Sequence, residues 1–137
     1  MKRSLEQRRA KYALDTVKKR EQEFGEESKK RERYLNRVKS LPATIIMCGL
    51  GQTVATLFAA GIKDNPDKML YKDLENWLCD QEGTIFQEKN LMKAIVNSDR
   101  KKYIQAQAEA LKLLEWLKKL ATAYLSKEVS CNEPSSV

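Results

Sequence analysis

The chain has 137 residues, 42% of them hydrophobic, which suffices for one domain around a single core. Its formal charge of +7 belongs entirely to residues 1–40, which hold 14 Lys/Arg against 7 Asp/Glu, while the rest of the chain carries 12 of each. Such a one-sided field draws polyanions or an acidic protein partner, and the absence of any histidine excludes His-based acid–base catalysis, Ser-His or Cys-His nucleophiles and His-ligated metals.

The first predicted helix starts at a capping box, Ser4 with Gln7. Ala10, Ala13, Leu14, Val17 and Phe24 then form an apolar stripe, and Gly25 suits a left-handed C-cap. Arg8, Lys11, Asp15, Lys18, Lys19 and Gln22 fall on the opposite face. A second helix is predicted from about Glu26 to Lys39, with Tyr34, Val38 and Leu41 inward. Glu26–Lys30 and Glu27–Arg31 are i, i+4 pairs in the favourable orientation, whereas Arg37 and Lys39 lack such a partner.

The run Leu41–Ile62 contains no charged residue. With Ser40 as its cap and Pro42 in its first turn, it reads as a separate central helix ending near Gly61. It is long enough to span a bilayer, but Pro42, Gln52, three threonines and three glycines oppose insertion. Its amphipathic neighbours need a partner for their apolar stripes, which favours a buried core helix over a membrane span. Gly49-Leu50-Gly51 lacks the third glycine of a dinucleotide turn and the Gly-Lys-Ser/Thr of a phosphate loop. The reading preferred is close approach of another helix or of backbone at Gly49 and Gly51.

Asn65 is the expected cap of the next helix, with Met69, Leu70, Leu74, Trp77 and Leu78 inward and Gly83 as its stop. Thr84–Asn90 reads as loop, followed by a short helix carrying Leu91, Met92, Ile95 and Val96. Ser98 is expected to cap a long last helix reaching about Ser126, whose broad apolar face includes Tyr103, Ala110, Leu114, Trp116, Leu117 and Ala121. Residues 1–126 thus read as one all-α domain, a compact bundle of five or six helices. Residues 127–137 read as a flexible polar tail.

No catalytic or metal-ligating constellation is visible. Asp64 and Asp67 flank a helix start, where negative charge complements the dipole without making a metal site. Trp77 and Trp116 lie at apolar helical positions, which favours core packing over base stacking. Cys48, Cys79 and Cys131 show neither zinc nor disulfide spacing and fit a reducing cytoplasm. Met1 leads into polar residues, so no secretory signal is expected. Arg8, Arg9, Lys18, Lys19, Arg37 and Lys39 together are the expected polyanion-facing surface. Arg100, Lys101 and Lys102 crowd a helix start, where cations are unfavourable, and hint at a partner.

Three segments carry a family resemblance. Lys39–Leu57, KSLPATIIMCGLGQTVATL, is similar to the K-x-x-P-A-x-I-x-x-x-G-L-G-Q core of the small subunit of the Cmr complex, the RNA-guided type III-B CRISPR effector. Glu109–Ala121, EALKLLEWLKKLA, resembles the closing helix of that family, and Leu5–Leu14 its opening helix. Tyr103 stands where the family has Tyr before the closing motif. Met47-Cys48 departs from the polar Gln-Asn pair common there. The resemblance implies a helical, non-catalytic subunit without cofactor, stacked in several copies beside the backbone subunits and near the large polymerase-like subunit. It implies a lining for the groove that holds target RNA on guide RNA, with Arg9, Lys39 and Lys118 as family positions that could touch RNA. The alternative is a helical adaptor whose basic face meets an acidic protein without RNA.

Overall fold

The computed structural model describes residues 4–60, 65–79 and 85–126. Within them the chain forms six helices and no strand: α1 Leu5–Phe24, α2 Ser28–Cys48, α3 Leu50–Ala59, α4 Pro66–Cys79, α5 Leu91–Asn97 and α6 Arg100–Leu125. The all-α bundle is the expected class.

α6 is the spine. Its buried Ala106, Ala110, Leu113, Leu114, Leu117, Ala121 and Leu125 face the long helices α1 and α2. Arg31 of α2 donates to the Tyr124 carbonyl near the end of α6, while the Leu50 and Gly51 amides meet Gln107 and Tyr103 nearer its start. The α2–α3 arm therefore runs antiparallel to α6. α4 packs on α2 and α3, and α5 closes the α3–α4 edge.

The first helix begins at the expected capping box, with the Gln7 amide donating to Ser4 Oγ at 3.1 Å and the Ser4 amide to Gln7 Oε1 at 2.9 Å. Its C-cap Gly25 has φ 55° and ψ −121°, so glycine is required there, but the conformation is not the left-handed helical one anticipated. The buried stripe is rotated from the apolar one. Arg9, Thr16 and Arg20 are buried with Ala13, Val17 and Phe24, whereas Ala10 and Leu14 are half-buried. Two buried arginines turn this face because each finds a carboxylate inside the bundle.

The largest correction concerns the charge-free run. α2 continues through Ser40 and Pro42 to Cys48, and the chain breaks at Gly49 instead. Ser40 caps nothing; its hydroxyl donates back to the Arg37 carbonyl. Leu41 and Ile45 stay in phase with Tyr34, Leu35 and Val38 against the core, which holds the helix together across Pro42. The run thus contributes half of α2 and all of α3, burying Leu41, Ile45, Leu50, Val54 and Leu57 while Ile46, Met47 and Cys48 face outward. The expected end at Gly61 lies outside the described residues, as do Asp64, Gly83, Cys131 and the tail.

Elsewhere the differences are local. Asn65 Oδ1 accepts the Asp67 amide at 2.7 Å, as its reading as a cap required. Asn90 caps α5, accepting from the Lys93 amide at 3.0 Å. Glu75 and Tyr71 of α4 receive the Leu91 and Met92 amides. Asp99, one residue after the expected Ser98, caps α6 by accepting from the Lys102 amide at 2.8 Å. Of the apolar residues carried by the short helix, Leu91 and Ile95 are buried while Val96 is 70% exposed. Among the described residues no helix is long and apolar enough to cross a membrane.

Candidate nucleic-acid interface

The outer face of α2 carries the cationic surface. Lys29, Arg33 and Arg37 recur every four residues, about 6 Å apart along the axis. With Glu32, Asn36 and Ser40 they line one open groove. Beneath it lies Asp67, at the start of α4 and 1% exposed. Arg33 donates to it through Nε and a terminal nitrogen at 3.3 and 2.9 Å, and Arg37 through Nε at 3.2 Å. Burial alone would raise the Asp67 carboxyl, but the hydrogen bonds from Arg33 and Arg37 outweigh it and hold the group below the usual carboxylate range. Asp67 thus holds two half-exposed guanidiniums that line the groove, at the cost of some positive field.

The predicted contact residues separate into three groups. Lys18 and Lys19 are exposed on α1, Lys39 on α2 and Lys118 on α6, and none makes an ion pair among the described residues. Arg37 lines the groove while anchored to Asp67; Arg8 is half-buried on α1. Arg9 is no surface cation. It is 7% exposed and grips Glu109 of α6 with Nε at 2.6 Å and a terminal nitrogen at 2.8 Å. The structure adds Arg33, which lines the groove beside Arg37 and shares its carboxylate. The expected pairings on α2 differ as well. Glu27 meets Lys30 at 3.3 Å, and Arg31 instead donates to the carbonyls of Gly25 and Tyr124. The spacing 29, 33, 37 was the available signal.

Aromatic side chains and the Gly49–Gly51 junction link the helices. Trp77 is buried, lies 5.1 Å from the Tyr12 ring and donates to Glu109 Oε2 at 2.9 Å, so Arg9 and Trp77 share one carboxylate. Trp116 is half-buried and donates to Glu6 at 3.2 Å. Gly49 has φ 90° and ψ 157°, and a Cβ there would stand 3.2 Å from Tyr103 Oη. The same hydroxyl accepts the Gly51 amide at 2.8 Å, and Gln107 Oε1 accepts that of Leu50 at 2.9 Å. Two α6 side chains therefore satisfy the first amides of α3, and the two glycines give the close helix approach expected of them. Among the described residues no group of three or more acidic or cysteine side chains could hold a metal ion.

The architecture is that of a rigid helical module with a basic outer face and a scaffold of internal ion pairs. Over residues 5–124 the chain matches the family described as CRISPR-associated protein (Cas_Cmr5). It belongs to that family, the small subunit of the type III-B Cmr complex, as the three motifs implied.

Proposed function

We propose that this chain is a non-catalytic small subunit that stacks in several copies beside the backbone filament and lines the groove holding target RNA on the guide. The observation that carries the reading is the row Lys29, Arg33, Arg37 on α2, two of its members set in place by Asp67, with Lys39 exposed on the same helix. A row of oriented cations on a rigid helix suits phosphates and not base edges. That fits a subunit whose sequence specificity comes from guide pairing. Lys18, Lys19 and Lys118 add to the field from α1 and α6.

The test is RNA affinity of the purified protein against salt. Binding to single-stranded RNA should be indifferent to sequence, and log K should fall with log salt by about 0.7 per phosphate neutralised. Lys29→Glu with Lys39→Glu should lower both affinity and slope without changing the melting temperature, because both side chains are exposed and neither makes an ion pair among the described residues. Affinity unchanged by this pair, or binding undiminished at high salt, would move the basic face to an acidic protein partner.

A further inference from the structure

The last turn of α2 departs from the rest of that helix in exposing large aliphatic side chains, Ile46 at 70% and Met47 at 83%. Two more exposed aliphatics belong to the same corner of the fold. Ile104, 56% exposed, lies one turn before Gln107 on α6, and Gln107 holds the Leu50 amide. Val96, 70% exposed, follows Ile95, whose methyl would be 3.6 Å from a Cβ on Gly51. Residues of α5 and α6 thus meet the Gly49–Gly51 junction that ends α2, and each of the three helices carries an exposed aliphatic side chain within a turn of it. Exposed aliphatics grouped at one place mark an interaction surface.

The rim of this corner is basic. Arg100 and Lys101 stand four and three residues before Ile104, Lys93 three before Val96, and Lys39 seven before Ile46, each on the helical face of its aliphatic neighbour. All four are exposed and make no ion pair among the described residues. Two carboxylates share a pocket with Lys93: Asp99 is already the cap of α6, and Glu88 accepts the Asn90 amide at 3.4 Å. Arg100 and Lys101 sit in the first turn of α6, where the helix dipole disfavours cations, so they carry a cost that α6 itself does not relieve.

We infer that this corner, Ile46 and Met47 with Val96 and Ile104 inside a rim of Arg100, Lys101, Lys93 and Lys39, docks an apolar segment of another protein chain flanked by Asp and Glu. Nucleic acid is the poorer fit, because bases stack on aromatic rings and the four centre residues are all aliphatic. A second copy meeting this corner through a two-fold axis would set Arg100 and Lys101 against their own equivalents. A head-to-tail copy would need an acidic apolar face of its own. Among the described residues the other exposed large hydrophobics are Leu5 and Phe58; Phe58 lies under the Lys68 ammonium, and the Glu6 carboxylate beside Leu5 is held by Arg9 and Trp116. The inference does not rest on the RNA reading: only Lys39 is shared with that surface, and Lys101→Glu tests the corner without touching it.

The test places the photo-crosslinker p-benzoylphenylalanine at position 96 of the tagged full chain in its own cells, with position 18 as the control. Adducts in the purified assembly are mapped by mass spectrometry. The expected adduct joins position 96 to a segment of a different protein chain in which apolar residues are flanked by Asp or Glu. Lys101→Glu, or Met47→Asp, should cut its yield about tenfold or more, the scale of an anchor residue, with the melting temperature unchanged. An adduct to a second copy, to RNA or to a non-acidic segment would overturn the inference. So would a yield indifferent to Lys101→Glu, or one no greater than at position 18.

Discussion

Asp73 is fully buried on α4 and is held by three groups from two other helices. Arg20 of α1 donates to both carboxylate oxygens, Tyr34 of α2 donates its hydroxyl, and Tyr12 of α1 donates to the Asp73 backbone carbonyl. Burial pushes the carboxyl up, opposed by Arg20 and then by Tyr34. Removing only the cation leaves a charge with no counterion in a dry site, which typically costs about 3–5 kcal/mol. Arg20→Met is therefore expected to lower the unfolding free energy by about that amount in urea titration. Arg20→Met combined with Asp73→Leu and Tyr34→Phe should recover most of the loss, since no buried polar group is then stranded. Equal losses in the single and triple variants would show that packing, not charge compensation, sets the cost. The signal for these residues was present in the sequence. Arg20 is in phase with Val17 and Phe24, and Asp73 with Leu70 and Trp77. A charge at an apolar position of a stripe announces a buried partner, but not which one, because the partner lies 53 residues away in the chain.

Among the elements, helix existence followed from apolar spacing and caps, while boundaries followed from packing. Proline at 42 and serine at 40 resemble a helix start, yet Leu41 and Ile45 continue the buried phase of α2 and the helix does not stop. The break falls at Gly49, whose φ of 90° and ψ of 157° belong to a region almost reserved for glycine. Gly49→Ala should cost about 1–3 kcal/mol from backbone strain alone, with Tyr103 Oη 3.2 Å from the new Cβ adding to it. Gly51 differs because it is helical, so Gly51→Ala gains about 1 kcal/mol of propensity against a 3.3 Å approach to the same oxygen. Chemical denaturation of the two variants should rank Gly49→Ala well below Gly51→Ala. The reverse order would place the α2–α3 break somewhere other than a strained glycine. Close approach at Gly49 and Gly51 was legible in the sequence, but the positive φ that splits the charge-free run is a property of the assembled corner.

For the whole molecule, ion pairs and buried phenols join helices distant in sequence, which makes stability depend on pH from both sides. The candidate groove shares in this because Asp67 holds two of the arginines that line it, and its sequence signal was the row 29, 33, 37; the carboxylate that holds them arrives from α4 only in the fold. With Asp67 held below the ordinary Asp value of about 3.9, the unfolded chain binds more protons than the native one in the window below that value. Stability from this group is therefore complete above about pH 4 and is lost as pH falls through its lower native value. Asp67→Asn should be less stable than the parent protein at neutral pH, and the gap should close under acid. At the alkaline end burial pushes Tyr34 well above its usual value and Tyr71 up to about 12. Above pH 10 the unfolded phenols ionise first, so stability falls as pH rises, less so in Tyr71→Phe. Thermal unfolding followed by circular dichroism from acid to alkaline pH reads both limbs. A gap between Asp67→Asn and the parent that persists unchanged into strong acid would show that Asp67 acts by packing alone. The row of guanidiniums above it would then owe its orientation to the α2 backbone and not to the carboxylate beneath.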